Sequence, residues 1–143
     1  MIPGLDPKTV AVGQELSPLV KGPISREDLK AYAAASGDPN PMHTDDAFAQ
    51  SAGYPGVFAH GMLSMGYLAE FLVQAGGVGA IRRFKSRFAK LTWPGDLITC
   101  RGRVTRVADE GGERRVECEI WSENQAGERK LLGSATLALP RAS

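Results

Sequence analysis

The feature that most constrains the fold is one long apolar run, HGMLSMGYLAEFLVQAGG, which extends from His60 to Gly77. Within residues 62–75 its clearly polar residues are Ser64, Glu70 and Gln74. A helix that is apolar on nearly all sides belongs inside a hydrophobic core. The run is too short and too interrupted to cross a bilayer, so we expect a central helix that the rest of the chain surrounds.

The residues after this run alternate between apolar and polar side chains, which is typical of strands. Phe84 and Phe88 share one side of the first segment, and basic residues occupy the other. Three later segments follow the same pattern: ITCRGRVTRV from position 98, RVECEIW from position 115 and KLLGSATLAL from position 130. The turns DEGG and NQAG connect them. With an early strand expected over residues 14–20, the pattern predicts an α+β fold in which an antiparallel sheet wraps around the helix.

Length and composition indicate one globular domain over residues 1–143. The 17 basic and 16 acidic side chains leave no electrostatic bias, so nothing indicates nucleic acid as a main partner. The start, MIPGLDPKTVAVGQEL, has no basic leader before an apolar run, and we expect a cytoplasmic protein without membrane association. Cys100 and Cys118 are interpreted as small buried apolar residues rather than as a disulfide.

A predicted amphipathic helix leads into a proline-rich loop. Ser25 is the expected N-cap of this helix, Asp28 its capping-box partner and Gly37 its stop. The loop SGDPNPMHTDD follows, and a short second helix is expected over residues 45–51. Because two prolines forbid a regular helix, we expect an ordered and non-helical loop.

Asp38 and His43 in this loop are a natural pair for holding one water molecule. A carboxylate accepts a proton, and an imidazole with a pKa near neutrality accepts or donates one. Each proline holds the residue before it extended, which lowers the entropy cost of fixing the loop. The alternative is an Asx-type turn, in which Asp38 and Asn40 bond to local backbone and His43 merely packs.

The start of the apolar helix is the second candidate feature. His60 and Gly61 open the run, and the free amides of a helix N-terminus suit a carbonyl oxygen on which negative charge develops. We interpret His60 itself as a residue packed on the surface. A metal at His43 and His60 is disfavoured, because no further carboxylate or cysteine stands at ligand spacing. Ser64 lies in a helix pattern and not in a nucleophile elbow, which disfavours a serine hydrolase.

Three stretches, taken in order, carry a family resemblance. YAAASGDPNPMHTDDAFA contains a complete Asp-x-Asn-Pro-x-His core, and FAHGMLSMG and RFAKLTWPGD follow it. Together with VGQEL near the start, they resemble the R-specific enoyl-CoA hydratase family, also called MaoC-like dehydratases, over nearly the whole chain. Ala35 departs mildly from the family signature, and Gly66 stands where some members have a serine.

The resemblance implies a hot-dog fold, with a long helix inside a curved antiparallel sheet, and pairing as a homodimer. The implied reaction is reversible syn addition of water to a trans-2-enoyl thioester of coenzyme A or an acyl carrier, giving the (3R)-3-hydroxyacyl thioester without a cofactor or metal. Asp38 and His43 would hold the water and exchange protons, while the Gly61 amide polarises the thioester carbonyl. Asn40, chiefly as a loop-shaping residue, and Ser64 complete the implied substrate-binding set.

Other interpretations stay open from the sequence. An acyl-CoA thioesterase on the same fold would also bind substrate at the helix start, yet it leaves the aspartate–histidine loop unexplained. A second alternative is the catalytic subunit of a heterodimeric dehydratase. A strip of basic residues on the first strand after the helix is either a site for coenzyme A phosphates or a solvated face; it comprises Arg82, Arg83, Lys85 and Arg87.

Overall fold

One antiparallel sheet of five strands packs around a long helix in the computed structural model, which describes residues 4–141. The sheet has the order β1-β3-β4-β5-β2, with β1 at Leu19–Lys21, β2 at Ile81–Phe88, β3 at Ile98–Glu110, β4 at Glu113–Glu123 and β5 at Arg129–Pro140. The helices are α1 (Arg26–Ser36), α2 (Asp46–Ser51) and α3 (Gly61–Gly76), and a 3₁₀ turn covers Pro41–His43. The first three residues of the N-terminal stretch and the last two of the expected 1–143 domain lie outside the described residues.

Helix α3 occupies the centre of the core, as its apolar run predicts. Its Leu68, Phe71 and Leu72 are fully buried, and the helix packs against β2, β3, β4 and β5. The strands present their predicted apolar positions to the core, including Ile98, Val104, Val116, Ile120, Leu131, Ala135 and Leu137. The prediction of an α+β fold with a sheet wrapped around a helix is confirmed. No helix within residues 4–141 has the length and apolarity to span a membrane.

The two cysteines lie on neighbouring strands but do not face each other. Cys100 is opposite Ser122, and Cys118 is opposite Val104. Both thiols are free and buried, and burial raises the pKa of each to about 12. The interpretation of both as small apolar core residues is confirmed.

Helix α1 has the ends that its sequence predicts. The Ser25 hydroxyl accepts from the Asp28 amide at 3.0 Å, and the Asp28 carboxylate accepts from the Ser25 amide at 2.9 Å, which completes the capping box. Gly37 ends the helix in the left-handed conformation, with φ of 72°. The helix therefore ends at Ser36, and only the cap residue Gly37 separates it from Asp38.

The early strand is shorter than predicted. Regular pairing with β3 covers Leu19–Lys21, while Glu15 makes an isolated bridge to Arg103. Pro18 lies between these contacts and has no backbone N–H to donate to a sheet. The expectation of a continuous strand over residues 14–20 is therefore wrong, because this stretch meets β3 in two separate places.

Candidate active site

The proline-rich loop turns once before it reaches His43. The Asp38 carboxylate accepts from the Asn40 amide at 3.3 Å, and the Asn40 side chain accepts from the Met42 amide at 3.0 Å. Pro41 occupies the first position of the 3₁₀ turn, where a backbone N–H would have no partner within the turn. The prediction of a wholly non-helical loop is wrong over Pro41–His43. The local backbone bonds of the Asx alternative are present, and the Asn40 side chain faces the loop as its proposed shaping role requires.

His43 is buried at the end of this turn, and the Phe58 backbone sets its orientation. The Nδ1 atom of His43 lies 2.6 Å from the Phe58 carbonyl oxygen. Because a carbonyl only accepts, we assign the proton to Nδ1, which leaves a lone pair on Nε2 of the neutral ring. The Phe58 ring also meets the His43 ring edge to face, with centroids 5.0 Å apart. His43 is thus held as a proton acceptor through Nε2.

His60 lies against both members of the predicted pair. Its ring stacks on His43 with centroids 3.8 Å apart, and its Nε2 lies 3.2 Å from the Asp38 backbone oxygen. Burial lowers the pKa of His60, and nearby His43 acts in the same direction, while the hydrogen bond to Asp38 opposes them. The interpretation of His60 as a surface residue is wrong, because only 2% of it is exposed. In the sequence, the position of His60 directly before the apolar helix is the signal that could have indicated its contacts with Asp38 and His43.

Asp38, His43 and His60 also form a group that resembles a metal site. One potential ligand atom from each lies within 4.8 Å of the others, so the structure supplies the carboxylate that the sequence spacing did not reveal. The two rings are stacked with 28° between their planes, and one nitrogen of each lies near a backbone carbonyl: Nδ1 of His43 at Phe58 and Nε2 of His60 at Asp38. The absence of a metal stays a prediction.

Helix α3 begins where the sequence predicts, with His60 as N-cap and Gly61 as first residue. Gly61 is exposed and its φ is outside the left-handed region. Within residues 4–141 no group accepts a hydrogen bond from the Gly61 or Met62 amide. Ser64, one turn later, is buried, and its amide lies 3.4 Å from the His60 carbonyl. The helix start therefore presents two free backbone donors, the amides of Gly61 and Met62.

A cleft of about 500 Å³, including its open mouth, lies at this helix start. Phe58, Gly61 and Ser64 line one part of it, and residues 88–92 with Leu131 line the other. Neither Asp38 nor His43 lines the cleft in the single chain. Phe58 joins the two regions, because its ring packs on His43 and also lines the cleft. The predicted site residues thus fall into two adjacent groups: Asp38 and His43 in the loop, and Gly61 and Ser64 at the cleft.

Lys130 supports the far wall of the cleft. It is 1% exposed on β5, and its Nζ donates to the Leu91 carbonyl at 2.7 Å and to the Glu128 carboxylate. Asp96 lies 3.7 Å from the same Nζ, and the Ala89 amide donates to the Lys130 carbonyl at 2.9 Å. The strand pattern alone gave no sign of this residue, because lysine in an alternating segment indicates solvent.

The basic strip on β2 is exposed, and its members differ in their partners. Arg82 pairs with Glu113, whereas Arg83, Lys85 and Arg87 form no ion pair within residues 4–141. The binding of coenzyme A phosphates by these three side chains stays a prediction.

Comparison with known proteins reveals the family. Residues 8–125 match the model of the MaoC like domain. The chain belongs to this family. The resemblance inferred from the sequence is confirmed, and with it the hot-dog fold.

The MaoC-like chain is also similar to individual proteins. It is 32% identical over 121 residues to an (R)-specific enoyl-CoA hydratase of Rhodospirillum rubrum, which covers 82% of this chain and 81% of that protein. It is 33% identical over 135 residues to the fatty acid synthase beta subunit TOXC of Cochliobolus carbonum, covering 92% of this chain but spanning only 6% of that subunit. The R-hydratase PhaJ1 of Pseudomonas aeruginosa, in its unliganded form, superposes with a TM-score of 0.84 at 29% identity, over 99% of this chain and 87% of that one.

Proposed function

We propose that this MaoC-like protein adds water reversibly to trans-2-enoyl thioesters and yields (3R)-3-hydroxyacyl thioesters. The observation that carries the proposal is the arrangement of Asp38 and His43, in which the Phe58 carbonyl leaves the His43 Nε2 atom free to accept a proton. The likeness to a protein named (R)-specific enoyl-CoA hydratase, over most of both chains, supports the same reaction. The substrate carrier is coenzyme A or an acyl-carrier protein, and no cofactor takes part.

The proposed chemistry divides between the two groups of residues. Asp38 and His43 hold one water, and one of them accepts its proton as the oxygen bonds to C3 of the substrate. The pair delivers that proton to C2 on the same face, so that the elements of one water add across the double bond and the pair returns to its starting state. Charge develops on the thioester oxygen meanwhile, and the Gly61 amide at the start of α3 stabilises it.

The direct test is an assay of the purified protein with short, medium and long trans-2-enoyl-CoA substrates. We expect loss of the conjugated enoyl absorbance and a product of R configuration at C3. Saturated acyl-CoA of equal length, with free thiol as the readout, tests the thioesterase alternative. Thiol release from saturated substrates without hydration of any enoyl thioester would overturn the proposal.

We further propose that the protein acts in the cytoplasm as a homodimer, formed by extension of the sheet at an exposed edge. The catalytic subunit of a heterodimer is the alternative, because the loop would be intact there too. Activity of the chain purified alone distinguishes the two, since a subunit that depends on an unlike partner is inactive by itself.

A further inference from the structure

His60 joins the two halves of the site. Its Nε2 lies 3.2 Å from the Asp38 carbonyl, its ring stacks on His43 at 3.8 Å, and it is the N-cap residue next to Gly61. We infer that His60 is a positioning residue, which fixes the Asp38–His43 pair relative to the Gly61 amide. This inference rests on the proposed function, because it concerns the geometry of that reaction.

The hydrogen-bonding state of His60 is what distinguishes this role from simple packing. Because a carbonyl only accepts, Nε2 donates to Asp38, and Nδ1 of the neutral ring is left without a proton. That Nδ1 is buried and makes no hydrogen bond within residues 4–141. An unpartnered buried nitrogen is unfavourable, and an apolar ring would fill the same space without it. The imidazole is therefore explained by its other nitrogen, the one that binds the Asp38 backbone.

The charge of His60 also suits the pair. The groups that face it are Asp38 from the loop, His43 from the 3₁₀ turn and Tyr32 from α1, whose ring meets it edge to face at 4.9 Å. Its burial favours the uncharged ring. A neutral stacked ring allows His43 to gain a proton during turnover without a second cation against its face.

The hydrogen bond acts on the backbone of Asp38, whose side chain does the chemistry. Asp38 is exposed and lies in a loop, so little packing holds it. The hydrogen bond from His60 connects this loop to the start of α3, which also carries Gly61. A displacement of about 1 Å at a reacting group lowers the rate by on the order of 10²-fold. Loss of the His60–Asp38 hydrogen bond should therefore have a measurable effect on turnover.

Two matched variants separate the hydrogen bond from the stack. His60→Phe keeps an aromatic ring against His43 and Tyr32 but cannot donate, whereas His60→Gln can place an amide donor near the position of Nε2 but has no ring. We expect His60→Phe to lower kcat for an enoyl-CoA by roughly 10- to 100-fold with little change in KM. His60→Gln should retain several times more of kcat than His60→Phe.

A double-mutant cycle with Asp38→Asn then distinguishes positioning from general stability. If His60 acts through Asp38, His60→Phe adds little further loss in the Asp38→Asn background. Wild-type kcat in His60→Phe, or full multiplication of the two losses, would overturn the inference.

Imidazole nitrogen NMR spectra of the wild-type protein supply a readout that needs no activity and no variant. A proton on Nε2 of His60 supports the inference, and a proton on Nδ1 overturns it even if His60→Phe does not fold. A wild-type protein with the Nε2 proton but no hydratase activity would contradict the proposed function alone.

Discussion

Gly61 meets two requirements at the residue scale, a free amide and the lack of a side chain. A Cβ added at this position would lie 3.3 to 3.4 Å from atoms of the Phe88 ring, which is tight but allows the half-exposed ring to shift. Gly61→Pro and Gly61→Ala both bring this Cβ, and only Gly61→Pro removes the N–H. The comparison therefore tests the amide N–H, which the proline ring replaces with a CH₂ group.

We expect Gly61→Pro to lower turnover by about 10²- to 10³-fold relative to Gly61→Ala, because one oxyanion donor is lost. Both proteins should fold, since proline suits the first position of a helix and the φ of Gly61 is outside the left-handed region. Steady-state kinetics and thermal melts of the two variants provide the measurement. Equal turnover of two folded variants would show that the carbonyl is held elsewhere.

Also at the residue scale, His60 makes the free energy of unfolding depend on pH. Burial lowers its pKa in the folded state, while its ordinary value is 6.5. As the pH falls below 6.5 the unfolded chain binds a proton that folded His60 resists, so the free energy of unfolding decreases until the folded pKa is reached. Denaturant unfolding at about pH 7.5 and about pH 5.5 should show a larger loss for wild type than for His60→Gln. An equal loss in both proteins would refute this linkage.

At the scale of elements, Lys130 connects β5 to residues 88–92, the segment that forms one wall of the cleft. Lys130→Met removes the cation and leaves the buried Asp96 carboxylate without it, which we expect to destabilise the fold by about 3 kcal/mol, the low end for a broken buried pair. Glu128→Gln is the control, with a much smaller expected effect, because the Glu128 side chain is 40% exposed and solvent screens its ion pairs. Denaturant unfolding measures both. Similar losses for the two variants would mean that Lys130 acts mainly through Glu128.

Local sequence signals predicted the elements well wherever a few neighbouring residues decide the structure. The capping box of α1, its glycine stop and the start of α3 at Gly61 all depend on residues within one turn of each other. The alternating strands were predictable because one face of each is buried against α3. The early strand was not, since Pro18 interrupts a pairing whose partner lies in β3.

The candidate site was predictable only in part, because its contacts join distant parts of the chain. The proximity of Asp38 and His43 follows from one short loop. The contact of His60 with Asp38 spans 22 residues, and that of Lys130 with Leu91 spans 39, so no local pattern contains them. Their burial also contradicts the usual expectation for charged or titratable side chains.

At the scale of the whole molecule, the sheet has two edge strands of unequal length. Strand β1 has three residues and β2 has eight, so β2 exposes the longer row of unpaired backbone groups. The cleft lies beside this edge, at Phe88. We expect a homodimer formed by sheet extension, with one site per subunit near the interface. Sedimentation and activity followed over dilution test this, and a monomer that stays fully active at nanomolar concentration would contradict it.

In the proposed mechanism Asp38 and His43 act on one water as a unit. The most direct test is the turnover of Asp38→Asn, His43→Gln and the double variant with one enoyl-CoA, with the fold of each verified by its melting curve. Each single change should lower turnover by about 10²-fold or more, because each removes proton transfer with little change in volume. The double variant should be no worse than the worse single one. Near-full activity in a folded Asp38→Asn protein would contradict the proposed mechanism.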